Sequence, residues 1–502
     1  MMKRLFAVAL TLCMLLSLGA ARATEAKDSV TIITASEPVH FDMVGETSSQ
    51  TDCIVLNNIY DGLLRLTPES TYEPLLATSW EMADDGLSYT FKLRDDVYFH
   101  NGYKMTAEDV KFSLEGVNAR NEGSSLFANF TDAEVIDEYT VKLNLSAPYA
   151  AFLTGIASRD GYVQSKKLYE EIGHEGYAAN PVGTGAYKFV SRVSGDTITL
   201  EANEEYFGGA PTIKHVYIKT ISEANTQMIT LESGEGDVLL SPALGNITRI
   251  TSDANIAWNY TDSAARTTMN INCMEGNPGH DANFRKALQV GVNKEDVLIG
   301  AVEGYGSIID IDMSPSYTGR PTDYQAVPAY DLEAAKAYLA ESSYNGEEFQ
   351  IICLSGTPAE LAAQIIQSQL NEIGINCTVG AYDSSTFMNL WTTGTYGGVV
   401  RSIQCSVVDA EALYTIFRKD GGAIPNDYPQ IEKIDELLRA GRAQANGPER
   451  LATYREVCDI ITAEALQVPL FSDINSVAYN KALTGIQAHP VNIYRICDWT
   501  WQ

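Results

Sequence analysis

The chain has 502 residues, 45% hydrophobic and 20% charged, and its 65 Asp and Glu outweigh 35 Lys and Arg to give a formal charge of −30 at pH 7. So negative a balance excludes a surface built for nucleic-acid phosphates or for adhesion to anionic lipid. The apolar fraction and the length describe a globular chain with material for two or three domains.

Residues 1–23 read as a cleavable export signal and are set apart from the fold. Lys3 and Arg4 precede an apolar run, Leu5 to Ala21, that is too short to span a bilayer comfortably, and Ala21-Arg22-Ala23 has the A-x-A cleavage pattern. A retained anchor is one alternative and a lipid on Cys13 another, although Leu10-Thr11-Leu12 lacks the small residues that normally precede a lipidated cysteine. The mature protein is expected to begin near Thr24, in the periplasm or at the cell surface. No other segment resembles a membrane span.

From Asp28 onward, "VTIIT" is a strand and "TDCIVLNNIYDGLL" carries apolar residues at helical spacing before Gly62. "SYTFKL" alternates Tyr89, Phe91 and Leu93 with polar neighbours, Asn101-Gly102 supplies a turn, and Thr106 with Asp109 reads as a capping box opening a helix through Val110, Leu114 and Val117. "YTVKLNL", "DTITLEANEEY" and "IKHVYIKTI" are strands, and "EANTQMITLESGEGDVLL" is a helix ending near Gly234 followed by a buried strand. After Trp258 the pattern changes to helix–strand units, with "FRKALQVGVN", "YDLEAAKAYLAES" and "PAELAAQIIQSQLNEIGI" as helices and "FQIICL" and "NCTVGAY" as strands. Two amphipathic helices, "PQIEKIDELLRAGRAQ" and "ERLATYREVCDIITAEA", precede "VPLF" and "SVAYN", which return to the strand period. The class is mixed α/β.

Chemistry is hard to find in these segments. The six histidines never fall at i,i+3 or i,i+4 spacing, and no G-x-S-x-G elbow or P-loop occurs. The paired glycines of "VGTGAY" and "EGYGSI" fall short of a dinucleotide fingerprint and serve turns. The seven cysteines beyond the signal are odd in number and widely spaced, and they read as buried core residues, not as a disulfide framework or a zinc site. No cofactor and no metal are expected. One position stands out: in "GGVVRSIQCSVVDA", Arg401 sits in an otherwise apolar strand. Facing a cleft, its guanidinium would clamp a carboxylate or phosphate; otherwise it would form an internal salt bridge or face solvent. Position alone leaves both open.

The stretch "EPLLATSWEMADDGLSYTFKLRDDVYFHNGYKMTAEDVKFSL", Glu73 to Leu114, resembles the signature of the peptide/nickel-type solute-binding proteins of ABC importers, the family 5 extracellular binding proteins. That signature runs P-x-L-A-x-S-W, D-G, Y-T-F-x-L-R, V-x-F-H-x-G, T-A-x-D-V-x-F-S. "NIYDGLL", "NPVGTGAYKF", "NEEYFGGAP", "LESGEGDV", "DANFRKALQVGVNKEDV", "LNEIGINC" and "VPLF…ALTGI" continue the likeness in order along the chain. The resemblance implies a two-lobed, periplasmic-binding-protein-like α/β fold with a hinge between the lobes. Mapped here, lobe I takes 28–66, 178–262 and 484–502, an inserted domain II takes 67–177, and lobe II (domain III) takes 263–483. It further implies a monomeric receptor without enzymatic activity, which captures a peptide or peptide-like solute and hands it to a membrane permease and its ATPase. A metal-chelate or haem receptor, a sensory receptor and an extracytoplasmic hydrolase on the same fold are the alternatives.

Peptide-binding members often hold the ligand's amino terminus with an aspartate shortly before the acidic residue that opens the next helix. With Asp409 as that residue, Ser406 takes the anchor position, so an ordinary free-amino peptide is not expected and Arg401 suggests an anionic group on the solute. The same alignment brings Ser49 and Gln50 from lobe I, Trp391 and Gln404 from lobe II, and Phe127 from the inserted domain towards the cleft.

Overall fold

The computed structural model describes residues 27–120, 127, 129–324, 328–404, 408–420 and 427–502, with Gln404 described for its backbone alone. The export segment and Ser406 lie outside the described residues. No helix among them is long and apolar enough to cross a membrane.

Among the described residues, eleven strands form one sheet. From edge to edge it runs Cys377–Tyr382, Phe349–Leu354, Gly398–Gln404, Ile256–Ile271, Gln467–Asn480, Val238–Leu240, Ser29–Thr34, His215–Thr220, Thr197–Ala202 and Tyr187–Val193, and Ser307–Ile308 adds to the side of Gln467–Asn480. The antiparallel strands Ile256–Ile271 and Gln467–Asn480 lie in the middle of this sheet and join its two halves. Where "VPLF" and "SVAYN" were expected as separate strands, a single strand carries both.

The long pair changes register midway. Ile256 to Asp262 pair with Asn480 to Ile474, and pairing resumes only at Arg266 with Ser472. The four-residue step from Asp262 to Arg266 thus faces a two-residue step from Ile474 to Ser472, a bulge that breaks the ladder and bends the strands locally. Several cores meet the sheet around this point, the largest of which also takes in Ile311, Met313, Tyr317 and Val408. On one side of it, Val30, Ile32, Val216 and Val238 pack in the large core with the fully buried helix Cys53–Ile59. On the opposite face of the same strands, Ile33 and Leu239 pack with Met228, Ile247 and Ile250. Beyond the bulge, Met269, Val400, Val468 and Leu470 pack with Phe284, Leu288, Phe349 and Ile366.

A separate four-stranded sheet orders Ala77–Met82, Ser88–Leu93, Thr140–Leu145 and Phe130–Asp137. Tyr89, Phe91 and Leu93 are buried, as their alternation requires, against Val110, Leu114 and Val117 of the helix Ala107–Arg120. The helix start differs in detail from the expected box. The Thr106 backbone N–H and hydroxyl both donate to the Asp109 carboxylate, at 2.9 and 3.1 Å, and Asp109 also accepts from the Lys166 N–H. Burial raises the Asp109 carboxyl above its ordinary value against these donors.

The Asn101-Gly102 turn has Gly102 at φ +85°, and nothing lies near the position that a Cβ would take. Gly102→Ala should therefore cost about 1 kcal/mol through backbone strain alone. Urea denaturation checks this as a lower midpoint at unchanged slope.

Candidate ligand cleft

The parallel strands Ser29–Thr34 and Val238–Leu240 end on the same side of the sheet, and ligands of open α/β sheets bind beyond such carboxyl ends. A cavity of about 180 Å³ lies there, lined by Ala35, Ser36, Gln50, Leu240, Ser241 and Asn492 among others. Its wall mixes amide and hydroxyl groups with aliphatic carbon, a composition suited to a polar organic solute. Gln50 is half-buried in this wall. Ser49 is exposed, but its N–H and hydroxyl both donate to the buried Asp52 carboxylate, at 2.7 and 2.9 Å. That hydroxyl proton is engaged in holding the loop.

Across the bulge, Arg401 lies on Gly398–Gln404 and is only 2% exposed. Its Nε donates to Asn270 Oδ1 at 2.6 Å and its Nη2 to Asp312 Oδ2 at 3.0 Å. Arg266 approaches the same carboxylate from the neighbouring strand, Nε to Asp312 Oδ1 at 2.8 Å, and donates to the Tyr317 hydroxyl at 3.0 Å. Burial alone would raise the Asp312 carboxyl, but the two guanidiniums together hold it below its ordinary value. Of the two readings of Arg401, the internal ion pair is therefore the one the structure contains. A solute anion would have to compete with Asp312 for this guanidinium.

Trp391, on the helix Ser384–Thr393, brings its ring to 5.8 Å from the Arg401 guanidinium carbon and 5.7 Å from the Phe387 ring. Its indole N–H is buried with no hydrogen-bond partner among the described residues. Gln404 ends the Arg401 strand, opposite Ala265 at the bulge. Phe127 packs in the core beside the four-stranded sheet. It is 2% exposed, with its ring 6.0 Å from that of Phe130, because an aromatic ring beside an open sheet face gains most by joining that sheet's core.

The bulge itself carries acids that sequence reasoning passed over. Asp473 accepts from the Ser402 hydroxyl at 2.8 Å and from Thr267 at 3.5 Å; burial pushes its carboxyl up, and the hydroxyls pull it back. Asp262, at the point where pairing stops, is likewise raised by burial, against Ser307 and Ser472. Carboxyl groups that break two otherwise strand-like runs, "NYTDSAA" and "LFSDINS", were the available signal.

Comparison with known proteins assigns this architecture. Residues 71–424 match the family described as bacterial extracellular solute-binding proteins, family 5, middle. The chain belongs to that family. This family 5 chain is similar to Di/tripeptide-binding protein 2 of Pseudomonas aeruginosa, 26% identical over 518 residues that cover 95% of this chain and 96% of the relative. It is also similar to the glutathione-binding protein GsiB of Salmonella paratyphi A, 26% identical over 497 residues and covering 94% of each. The structure of HbpA2 from Haemophilus parasuis superposes with a TM-score of 0.85 at 22% identity, over 94% of this chain and all of that one. The fold is thus the two-lobed α/β fold of periplasmic binding proteins, as expected from the signature.

In the family 5 chain, the segment after Arg401's strand is anchored by buried charge. Asp409 accepts from Arg450 at 3.0 and 2.5 Å, both side chains being almost fully buried, and its other contact, from the Glu411 N–H at 2.8 Å, helps start the helix Ala412–Phe417. Arg442 reaches the buried Glu411 carboxylate at 3.0 Å, beside Tyr149, which follows the strand Thr140–Leu145, and the Ala150 N–H donates to the Arg442 carbonyl at 2.9 Å. Five of the six described cysteines are buried and the sixth, Cys497, is half-buried, all as free thiols. Among the described residues no group of three or more His, Cys, Asp or Glu is placed to hold a metal ion.

Proposed function

We propose that this chain is an extracytoplasmic receptor that closes two lobes around a short peptide or peptide-like solute and delivers it to an ABC-type permease and its ATPase. The observation that carries this reading is the presence in one sheet of two long strands that lose register together at Asp262–Arg266 and of a cavity at the carboxyl ends of parallel strands. Bending at that bulge would swing the Arg401–Trp391 side towards the Gln50 side. Capture then follows from a higher affinity of the closed form for solute. The division we propose is lobe I at 28–66, 178–262 and 484–502, the inserted domain at 67–177 and lobe II at 263–483, with Ile474–Asn480 of the last paired to strands of lobe I. Family membership and the di/tripeptide- and glutathione-binding names of the relatives support the solute class. On this reading the protein performs no covalent chemistry and acts as an exported monomer in the periplasm or at the cell surface.

Gln50 and Trp391 are the contacts we assign to the solute, and the resemblance adds Gln404 and Ser406. Because Ser406 brings no carboxylate to the anchor position, N-acetylation should leave peptide affinity within about ten-fold. Titration calorimetry with a tripeptide pool, its acetylated counterpart and metal chelates tests this. Loss of all binding on acetylation sinks the anchor argument, saturable binding of chelates alone favours the chelate receptor, and peptide turnover favours a hydrolase. Gln50→Ala should weaken peptide binding about three- to ten-fold, the usual worth of one hydrogen bond.

A further inference from the structure

The cleft loop 39–52 has no helix or sheet to satisfy its backbone, which must find partners elsewhere. Many of them come from one source. Arg120, at the end of the helix Ala107–Arg120, donates to the carbonyls of Met43 and Glu46. Gln164 accepts from the Val44 N–H at 2.9 Å, and Arg159 donates to the Ser48 hydroxyl at 2.9 Å and to its carbonyl at 3.3 Å. Asp42, which turns the loop by accepting from the Val44 and Gly45 N–H groups, is itself held by the Tyr169 hydroxyl at 3.1 Å and by His174 Nδ1 at 2.6 Å. The approach is close: a Cβ on Gly45 would overlap the His174 ring, and one on Gly116 would overlap the Val44 side chain.

Every one of these partners belongs to 67–177, and the residues they grip run directly into Ser49 and Gln50. We propose that the inserted domain is a clamp that sets the cleft loop, with Arg159, which holds Ser48 two residues before Gln50, as the positioning residue. Arg159 touches no solute in this scheme; it acts through Ser48. The domain thereby tunes capture from outside the cleft, and changes in its 159–174 face alter affinity without altering a lining residue. The proposal rests on the placement of Gln50 in the cleft wall.

The test compares Arg159→Ala, Arg159→Lys and Gln50→Ala in the full mature chain, reading hydrogen exchange along the sequence and binding of a randomised tripeptide pool by native mass spectrometry. Arg159→Ala should speed exchange in 39–52, leave the sheet of Ala77–Met82 and its partners unchanged, and weaken pool binding about ten-fold. Arg159→Lys, which keeps a donor and is the milder variant should Arg159→Ala fail to fold, should recover part of both. Gln50→Ala should weaken binding with exchange unchanged. Unchanged exchange in 39–52, or faster exchange with full affinity while Gln50→Ala binds weakly, overturns the clamp. Full affinity in Gln50→Ala overturns instead the cleft placement beneath it.

Discussion

Asp312→Ala should destabilise the protein by about 3–5 kcal/mol, the range for removing one member of a buried charge network. The carboxylate is fully buried between Arg266 and Arg401, which belong to adjacent strands just past the bulge. Its removal leaves two guanidiniums facing each other in the interior with the repulsion between them uncompensated. Chemical denaturation should show a lower midpoint at unchanged slope. Arg401→Ala should cost less, because Arg266 still pairs with Asp312. This pair of variants also decides the role of Arg401: a loss of stability with solute affinity retained marks it as a member of the network, whereas a loss of affinity at full stability would return it to the solute. A midpoint unmoved in Asp312→Ala contradicts the ion-pair assignment.

Glu411 should make stability fall as pH rises through the neutral range. Burial pushes its carboxyl up from an ordinary 4.5 to about 7, with Arg442 and Tyr149 opposing the rise. Between those two values the folded state holds a proton that the unfolded state has released, so the contribution is greatest below about 4.5, declines as pH rises, and is gone above about 7. The size is about 3 kcal/mol, since each ten-fold gain in proton affinity on folding is worth about 1.4 kcal/mol. Glu411→Gln keeps the neutral form's shape and should flatten the stability profile across that window while raising stability at pH 8. Parallel pH–stability profiles in the two proteins would contradict the assignment. Because Glu411 meets Tyr149, the same profiles report how the segment after Thr140–Leu145 packs on the helices Ala412–Phe417 and Ile431–Ala443.

Most helices and half-buried strands were legible because one face of each meets solvent, so hydrophobic period and burial coincide; Ser88–Leu93 and Ala107–Arg120 are examples. The long strand Ile256–Ile271 was not. Beyond Asp262 both its faces are buried, so period-2 alternation disappears, and the run Asp-Ser-Ala-Ala-Arg that forms the bulge reads as a loop. Its partner was split into "VPLF" and "SVAYN" for the same reason, with Asp473 at the break. The candidate site was legible only in part. Gln50 reaches the cavity wall, and Arg401 and Trp391 come together, but no local pattern could tell that Arg401's partner would be Asp312, 89 positions earlier in the chain. Ser49 donates to Asp52 of its own loop and Phe127 packs against Phe130, contacts that no local pattern announces. The acids at the bulge went unremarked because, among 65 Asp and Glu, only the fold says which are buried.

Native mass spectrometry of the gently purified mature chain, followed by release and sequencing of whatever it carries, tests the central claim most directly. A receptor for peptides should show a population heavier than the bare chain by the mass of one short peptide or peptide-like solute, and exchange it for the tripeptide pool. A chain that carries no such solute and takes up none from the pool would contradict the account.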